Sequence, residues 1–168
     1  EIFNMSSYEI TEMSNRHLYG FDTFEGFPSL NKLDASSMKH DEKKIGGLSF
    51  DRQIFDRAFN HLKSESKISK RIHLQEGDVT KTWPNFVKDN PGIRFSFVLL
   101  DMDIFEPTSV VLNDIKDLMV PGGIIIFDEY GYPEWPGETL AVNEFIKSNK
   151  LELKSFSWSY GPGAYTII

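Results

Sequence analysis

The chain has 168 residues, of which 40% are hydrophobic, and its formal net charge is −7. This length and apolar content suit one globular domain over residues 1–168 with a sizeable core. The negative charge argues against nucleic acid as the main partner, because phosphate binding requires clustered Lys and Arg. The sequence has no cysteine, which excludes disulfides and Cys-ligated zinc and fits a cytoplasmic protein. No apolar stretch approaches the length that spans a bilayer, so we expect no membrane partner.

Strands and helices are predicted to alternate along the chain, after a weakly helical segment over residues 1–15. The apolar or alternating runs typical of strands are 18–21, 71–75, 95–100, 123–127, 153–160 and 164–168. Helical periodicity predicts helices over 53–63, 83–88, 107–118 and 138–147. The alternation predicts an open α/β sheet, mostly parallel, with the last two strands forming an antiparallel hairpin. The turn-rich segment 29–47 is long for a connection, and we expect a mobile loop or lid there.

Two of the predicted strands end in a pair of acids. Asp101 and Asp103 follow the run over 95–100, and Asp128 and Glu129 follow the run over 123–127. If these strands are neighbours in a parallel sheet, the four carboxylates converge at one edge, where they repel one another unless a cation or a proton intervenes. The simpler alternative is that the acids are solvated turn residues. The four His residues are scattered, so the pattern favours Mg²⁺, Ca²⁺ or Mn²⁺ over zinc.

Further acids stand at the carboxyl ends of other predicted strands. Asp22 follows the run over 18–21, and Asp78 comes shortly after the run over 71–75. Ligands of open α/β sheets bind outside the carboxyl ends of the strands. The sequence therefore predicts one candidate cleft that contains all of these acids.

Several segments together resemble a known family. The segments are Leu18–Pro28, Leu99–Thr108, Pro121–Gly131 and Trp135–Glu138. They are similar to the macrocin O-methyltransferase-like group, and the similarity extends over nearly the whole chain. The resemblance implies a Rossmann-like class I methyltransferase fold, S-adenosylmethionine as cofactor and, in several members, Mg²⁺.

The resemblance also indicates a missing part. The family has a glycine-rich loop after its first strand, just before a helix that resembles residues 1–15, whereas this chain starts at Glu1. We therefore expect the chain to be N-terminally incomplete. Loss of that central strand would leave two halves of a sheet unpaired, and would put cofactor binding by this chain alone in question.

Roles follow for the acids at the strand ends. Asp22 is expected to accept hydrogen bonds from the ribose hydroxyls of the cofactor. The full set of expected cofactor contacts is Asp22, Thr23, Phe24, Gly77, Asp78 and Asp101. Asp101, Asp128 and Glu129 are the expected metal ligands, although the family more often has two aspartates at the second pair. Asp103 is expected to be a fourth ligand or the general base, because in an extended segment its side chain points to the same side as that of Asp101. Asp101 and Asp103 are therefore the candidate catalytic residues.

The implied reaction transfers an activated methyl group to a hydroxyl of a small molecule. A metal that binds the acceptor oxygen would lower the pKa of the hydroxyl, so substrates with two adjacent oxygens, such as a sugar diol or a catechol, fit best. Tyr130, Tyr132 and Trp135 could line the acceptor pocket or could serve packing alone. A homodimer is possible.

Other classes of protein share some of these features. Asp101-Met102-Asp103 also resembles the metal-binding motif of nucleotide-sugar glycosyltransferases. Phosphatases of the haloacid-dehalogenase type have acids at similar positions, but they require Thr or Val where Phe105 stands. A third alternative is a protein with a cofactor-binding fold that binds a partner without catalysis.

Overall fold

The computed structural model describes residues 16–65, 71–155, 161 and 163–168. The helix predicted over residues 1–15 and most of the strand predicted over 153–160 lie outside these residues. The chain divides into two compact units, residues 1–28 with 46–78, and residues 29–45 with 79–168. The expectation of one domain over residues 1–168 stays a prediction.

The described residues of the first unit form a two-stranded parallel sheet and one helix. Strand β1 (Leu18–Asp22) pairs with β2 (Ile72–Glu76), with Asp22 opposite Glu76. Helix α1 (Arg52–Glu65) lies between them in sequence. Its Phe55 and Phe59 rings stack at 5.5 Å, and Phe59 is buried. Among the described side chains of this helix, Phe59 is therefore the apolar one that is buried.

The described residues of the second unit form a three-stranded mixed sheet and three α-helices, together with a short 3-10 helix over Lys32–Asp34. In chain order its elements are α2 (Val79–Asp89), β3 (Phe95–Leu100), α3 (Phe105–Leu118), β4 (Met119–Phe127), α4 (Pro136–Asn149) and β5 (Ala164–Ile167). Strand β4 is central, parallel to β3 and antiparallel to β5. Lys154 forms an antiparallel bridge with Tyr165, which is the described part of the predicted C-terminal hairpin. The fold is therefore α/β, as the sequence predicted.

The strands that the structure describes form two sheets, β1-β2 and β3-β4-β5. Among the described residues, no helix combines the length and the apolar character that crossing a bilayer requires.

The core of the second unit is built on the central strand. Ile125 and Phe127 of β4 are fully buried, as are Ile115 of α3 and Val142 of α4. Full burial of such a side chain is worth about 1.5–3 kcal/mol, so these positions hold the helices on the sheet. The ends of β3 and β4 are thereby fixed relative to one another.

Two elements begin four residues earlier than predicted. Helix α2 begins at Val79 rather than at Trp83, and Pro84 lies inside it. Proline there removes one backbone hydrogen bond, which the burial of Trp83 and Phe86 offsets. Strand β4 begins at Met119, before the glycines that were expected to precede it, and its register with β3 shifts between Phe95 and Phe97. This irregularity accommodates Gly122, whose φ is +79°.

Candidate functional site

The ends of β3 and β4 bring the two acid pairs of the sequence together. Leu100 and Phe127 are register partners, and the N–H of Asp128 donates to the carbonyl of Leu100 at 3.0 Å. Asp101 and Asp128 therefore leave the sheet side by side. This confirms that the two strands are parallel neighbours.

Three carboxylates converge at this edge. Asp101, Asp128 and Glu129 each offer an oxygen, and these oxygens lie within 4.8 Å of one another. Asp101 is exposed, whereas Glu129 is only 9% exposed. The buried Oε2 of Glu129 has no hydrogen-bond partner among the described residues. A set of hard oxygen donors with one unsatisfied buried oxygen fits a divalent cation such as Mg²⁺.

Asp103 lies beside this group in an unusual backbone conformation. Its φ is +62°, so the segment is not extended at this residue, contrary to the expectation that Asp101 and Asp103 point to the same side of an extended segment. Burial, reinforced by the charges of Asp101 and Asp128, raises the pKa of Asp103 to about 7. Left-handed backbone at a non-glycine residue is a feature found often at functional sites. The role of Asp103 as ligand or base stays a prediction.

A further acid of the second unit, Glu138, approaches the group from α4. It is fully buried, and its Oε1 accepts a hydrogen bond from the backbone N–H of Glu129 at 3.1 Å. Burial is the main cause that raises the pKa of both Glu129 and Glu138, and neighbouring carboxylates add to it. The site thus concentrates more negative charge than its surroundings solvate, which favours a bound cation or retained protons.

The segment 29–45 packs against the same part of the second unit. Asp34, only 3% exposed, accepts hydrogen bonds from the N–H of Asn31 at 2.6 Å and of Phe105 at 2.7 Å. Phe105 is the first residue of α3, and the residue before it, Ile104, provides no side-chain cap. Asp34 therefore caps α3 from a distant part of the chain. The mobility that was expected over residues 29–47 stays a prediction.

Lys43 of this segment brings a positive charge towards the acids. Its ammonium donates to the carbonyls of Asp34 and Glu134 and lies 4.8 Å from the ring centre of Trp135. Burial lowers the pKa of Lys43, and the charges of Asp34 and Asp103 oppose that effect. Lys43 thus fastens the segment to the loop that precedes α4 and partly balances the charge of Asp103.

The aromatic residues after Asp128 are held by polar contacts. The Tyr130 hydroxyl lies 2.9 Å from Oδ1 of Asn143, and Trp135 is 6% exposed beneath Lys43. Trp135 therefore has a packing role, which is one of the two alternatives weighed from the sequence.

The candidate cofactor residues of the first unit form a compact pair of loops. Oδ1 of Asp22 accepts from the N–H of Phe24 at 2.6 Å, and the N–H of Gly77 donates to the carbonyl of Asp22 at 2.9 Å. Thr23 donates from Oγ1 to the carbonyl of Gly26 at 2.8 Å. The structure thus brings Asp22, Phe24 and Gly77 together at the ends of β1 and β2, next to Asp78.

Arg52 joins these two loops and was not singled out from the sequence. Its Nη1 lies 2.6 Å from Oε2 of Glu76, and its guanidinium lies 4.5 Å from the ring centre of Phe24. Phe24 has a φ of +58°, a conformation that this contact and the hydrogen bond to Asp22 support. Arg52 therefore holds Phe24 close to the end of β2.

Sequence reasoning also missed Glu138, Asp34 and Lys43. For Glu138 the sequence did contain a signal. Ala141, Val142 and Phe145 follow it at helical spacing, so Glu138 lies on the apolar face of α4. An acid on an apolar helix face calls for a buried partner. Asp34 and Lys43 lie in a segment without periodicity, where the sequence offers no such signal.

Comparison with known families gives one match. The profile described as macrocin-O-methyltransferase (TylF) matches residues 1–157. No curated protein matches the chain significantly.

Solved structures of methyltransferases are similar to this chain. The crystal structure of CalS11, a calicheamicin methyltransferase, has 28% sequence identity and a TM-score of 0.78, over 90% of this chain and 60% of that one. The apo structure of CalS11, described as a TDP-rhamnose 3'-O-methyltransferase, has 26% sequence identity and a TM-score of 0.66, over 90% of this chain and 58% of that one. The O-methyltransferase NovP, at 19% identity and a TM-score of 0.68, covers 93% of this chain and 61% of its own, and supports the fold alone. The chain thus spans about 60% of the length of these proteins.

Proposed function

This chain belongs to the macrocin-O-methyltransferase (TylF) family, and on that premise we propose that it is the part of an S-adenosylmethionine-dependent O-methyltransferase that methylates a hydroxyl with the help of Mg²⁺. The observation that carries the proposal is the convergence of Asp101, Asp128 and Glu129 within 4.8 Å. In a methyltransferase of this family, such a group has a direct use in binding a metal and the acceptor.

The residues of the second unit take separate roles in the proposed reaction. Asp101, Asp128 and Glu129 would hold the divalent cation, which when bound lowers the pKa of the acceptor hydroxyl and fixes its direction. Asp103 would accept the proton that the hydroxyl loses. Its position beside Asp101, and its partial burial, keep this carboxylate close to the reacting oxygen and away from bulk water.

The first unit would bind the nucleoside part of the cofactor. When bound, S-adenosylmethionine supplies the methyl group, whose bond to sulfur breaks as the bond to the acceptor oxygen forms, leaving S-adenosylhomocysteine. Asp22 already uses Oδ1 to accept from Phe24, and we assign its second oxygen to the ribose hydroxyls. Thr23, Phe24, Gly77 and Asp78 would border the nucleoside, and the expected contact of Asp101 with the cofactor belongs to the same proposal.

The acceptor that fits best carries two neighbouring oxygens, since one can bind the cation while the other is fixed beside it. A sugar diol meets this requirement, and the described substrate class of CalS11, a TDP-linked sugar, supports it. We therefore propose a sugar, free or attached to a nucleotide or a small molecule, as the acceptor. A homodimer and a cytoplasmic location belong to the same proposal.

Calorimetry separates this function from its alternatives. The protein, with any residues that precede or follow this chain, is titrated with S-adenosylhomocysteine and with uridine diphosphate, each with and without Mg²⁺. Binding of S-adenosylhomocysteine, followed by transfer of labelled methyl to TDP-rhamnose, is the expected result. Binding of uridine diphosphate alone would favour a glycosyltransferase, and binding of neither would favour a protein without catalysis.

A further inference from the structure

Glu138 is a buried acid that the proposed reaction does not use. It is fully buried in the first turn of α4, whereas an acid in the first turn of a helix ordinarily points to solvent. Its Oε2 has no hydrogen-bond partner among the described residues. Burial of a carboxylate costs free energy unless the group is hydrogen-bonded, so its position requires a compensating interaction.

That interaction is with the main chain after β4. Oε1 of Glu138 accepts from the N–H of Glu129 at 3.1 Å. One side chain on α4 thus holds the backbone of a candidate metal ligand.

The backbone of Glu129 requires support from outside the sheet. Glu129 lies beyond the last pair of the β3–β4 register, which ends at Leu100 and Phe127. The sheet therefore positions Asp101 and Asp128 but leaves Glu129 to other contacts.

We propose that Glu138 is the positioning residue of the carboxylate group: by accepting from the N–H of Glu129, it sets the segment after β4 so that the Glu129 side chain converges with those of Asp101 and Asp128 on one cation. This inference rests on the proposed function, because it assumes that the group binds a divalent cation. Groups that orient metal ligands in this way typically change metal affinity by about 10–100-fold when they are removed.

Three variants of the full 168-residue chain test the role of this hydrogen bond. Glu138→Gln keeps an oxygen acceptor of the same length, whereas Glu138→Met keeps the length and volume but has no oxygen. Glu144→Gln is the matched control, because Glu144 is an exposed acid of the same helix. Mn²⁺ is the probe, and its binding is measured by electron paramagnetic resonance of the free ion.

We expect Glu138→Met to weaken Mn²⁺ binding about 10–100-fold, while Glu138→Gln and Glu144→Gln stay within about threefold of the parent. Equal loss in Glu138→Gln and Glu138→Met would overturn the inference, because charge and not hydrogen bonding would then be responsible. Unchanged binding in Glu138→Met would overturn it as well. Absence of Mn²⁺ binding in the parent would instead contradict the proposed metal site.

Hydrogen exchange of the parent provides a test that does not depend on the folding of Glu138→Met. We expect the amide hydrogen of Glu129 to exchange much more slowly than those of unstructured peptides. If this amide of the metal-free parent exchanges at an unprotected rate, Glu138 does not hold it and the inference fails.

Discussion

Oδ1 of Asp34 accepts a hydrogen bond of 2.7 Å from the backbone N–H of Phe105, a residue 71 positions further along the chain. Phe105 begins α3, directly after the segment that contains Asp101 and Asp103. A carboxylate at a helix N-terminus satisfies an unpaired N–H and interacts favourably with the helix dipole. The contact therefore joins the segment 29–45 to the acids of the candidate site.

Replacing Asp34 by Ala should destabilise the second unit. The substitution leaves the N–H of Phe105 and of Asn31 without their acceptor, and we expect a loss of about 1–3 kcal/mol in the free energy of unfolding. Urea denaturation measures this loss. Asp41→Ala, an exposed acid of the same segment, should change the value by less than about 0.5 kcal/mol. Equal stability of both variants would contradict the capping role of Asp34.

Gly137 makes the contact of Asp34 with Phe105 possible. A Cβ atom at residue 137 would overlap Oδ1 of Asp34 and lie 2.6 Å from the N of Phe105. Gly137→Ala should therefore destabilise the chain by about 1–3 kcal/mol, as overpacking usually does. Gly92→Ala is the control, because a Cβ atom there would meet nothing within 4 Å beyond its neighbours in the chain.

The double variant of Asp34 and Gly137 sharpens this test. Once Asp34→Ala has removed the carboxylate, Gly137→Ala has less to displace, so the combined loss should be smaller than the sum of the two single losses. Urea denaturation of the four chains gives the coupling. Strict additivity would show that the two residues act independently.

The sequence predicted the parts of the site that follow from local pattern. The apolar runs before Asp101 and Asp128 indicated the strands, and parallel pairing puts their carboxyl ends at the same edge. Gly77 and Asp22 were placed by the same reasoning at the ends of β2 and β1. These inferences need only the period of a strand and the rule that ligands bind at carboxyl ends.

The remaining parts depend on contacts that no local pattern encodes. In the sequence, Glu138 resembles an ordinary acid in the first turn of a helix, where its negative charge interacts favourably with the helix dipole. Only the packing of α4 shows that the side chain is buried. Asp34 contacts Phe105 only when the segment 29–45 has packed against the rest of the second unit. The positive φ of Asp103 likewise has no signature in its residue type.

The pKa of Asp103 predicts a dependence of stability on pH. It is raised from 3.8 to about 7, so between these values the folded chain retains a proton that the unfolded chain releases. The free energy of unfolding should therefore fall as the pH rises from about 4 to about 7, by at most about 4 kcal/mol from this group. Below about 4 both states are protonated and the contribution is fully present.

Asp103→Asn removes this contribution and keeps a residue that tolerates a positive φ. Urea denaturation in EDTA at pH 5, 6, 7 and 8 should show a shallower fall for the variant between pH 5 and 7. The control is Asp117→Asn, an exposed acid of α3, which should follow the parent. Parallel pH curves for the parent and Asp103→Asn would rule out a raised pKa at Asp103.

Metal binding should stabilise the chain through the three converging carboxylates. Mn²⁺ at about 100 times its dissociation constant raises the free energy of unfolding by about 2.7 kcal/mol, and EDTA should reverse this. Asp128→Asn should abolish most of the gain, because it removes a candidate ligand. Asp114→Asn, an exposed acid of α3, should retain it. A full gain in Asp128→Asn would place the metal elsewhere.

Substitutions of Glu129 test whether metal binding requires a carboxylate at this position. Glu129→Asp restores the pair of aspartates that the family more often has, and it should retain the Mn²⁺-dependent gain within about 1 kcal/mol if a carboxylate at this position is what the metal requires. Glu129→Gln keeps the length of the side chain and removes its charge, and it should lose the gain. If Glu129→Asp loses the Mn²⁺-dependent gain and Glu129→Gln retains it, the length of the side chain, and not its charge, determines metal binding at this position.

Asp22 tests the cofactor side of the proposal separately from the metal. Asp22→Asn keeps an oxygen for the N–H of Phe24 but loses the charge that we assign to the ribose hydroxyls. A hydrogen bond to a charged group contributes about 1.5–3 kcal/mol, so the affinity for S-adenosylhomocysteine should fall about 10–100-fold. Calorimetry measures this, with Glu25→Gln, an exposed acid of the same loop, as the control. Because Mn²⁺ binding should be unchanged in Asp22→Asn, a simultaneous loss of both ligands would indicate unfolding and not a specific role for Asp22.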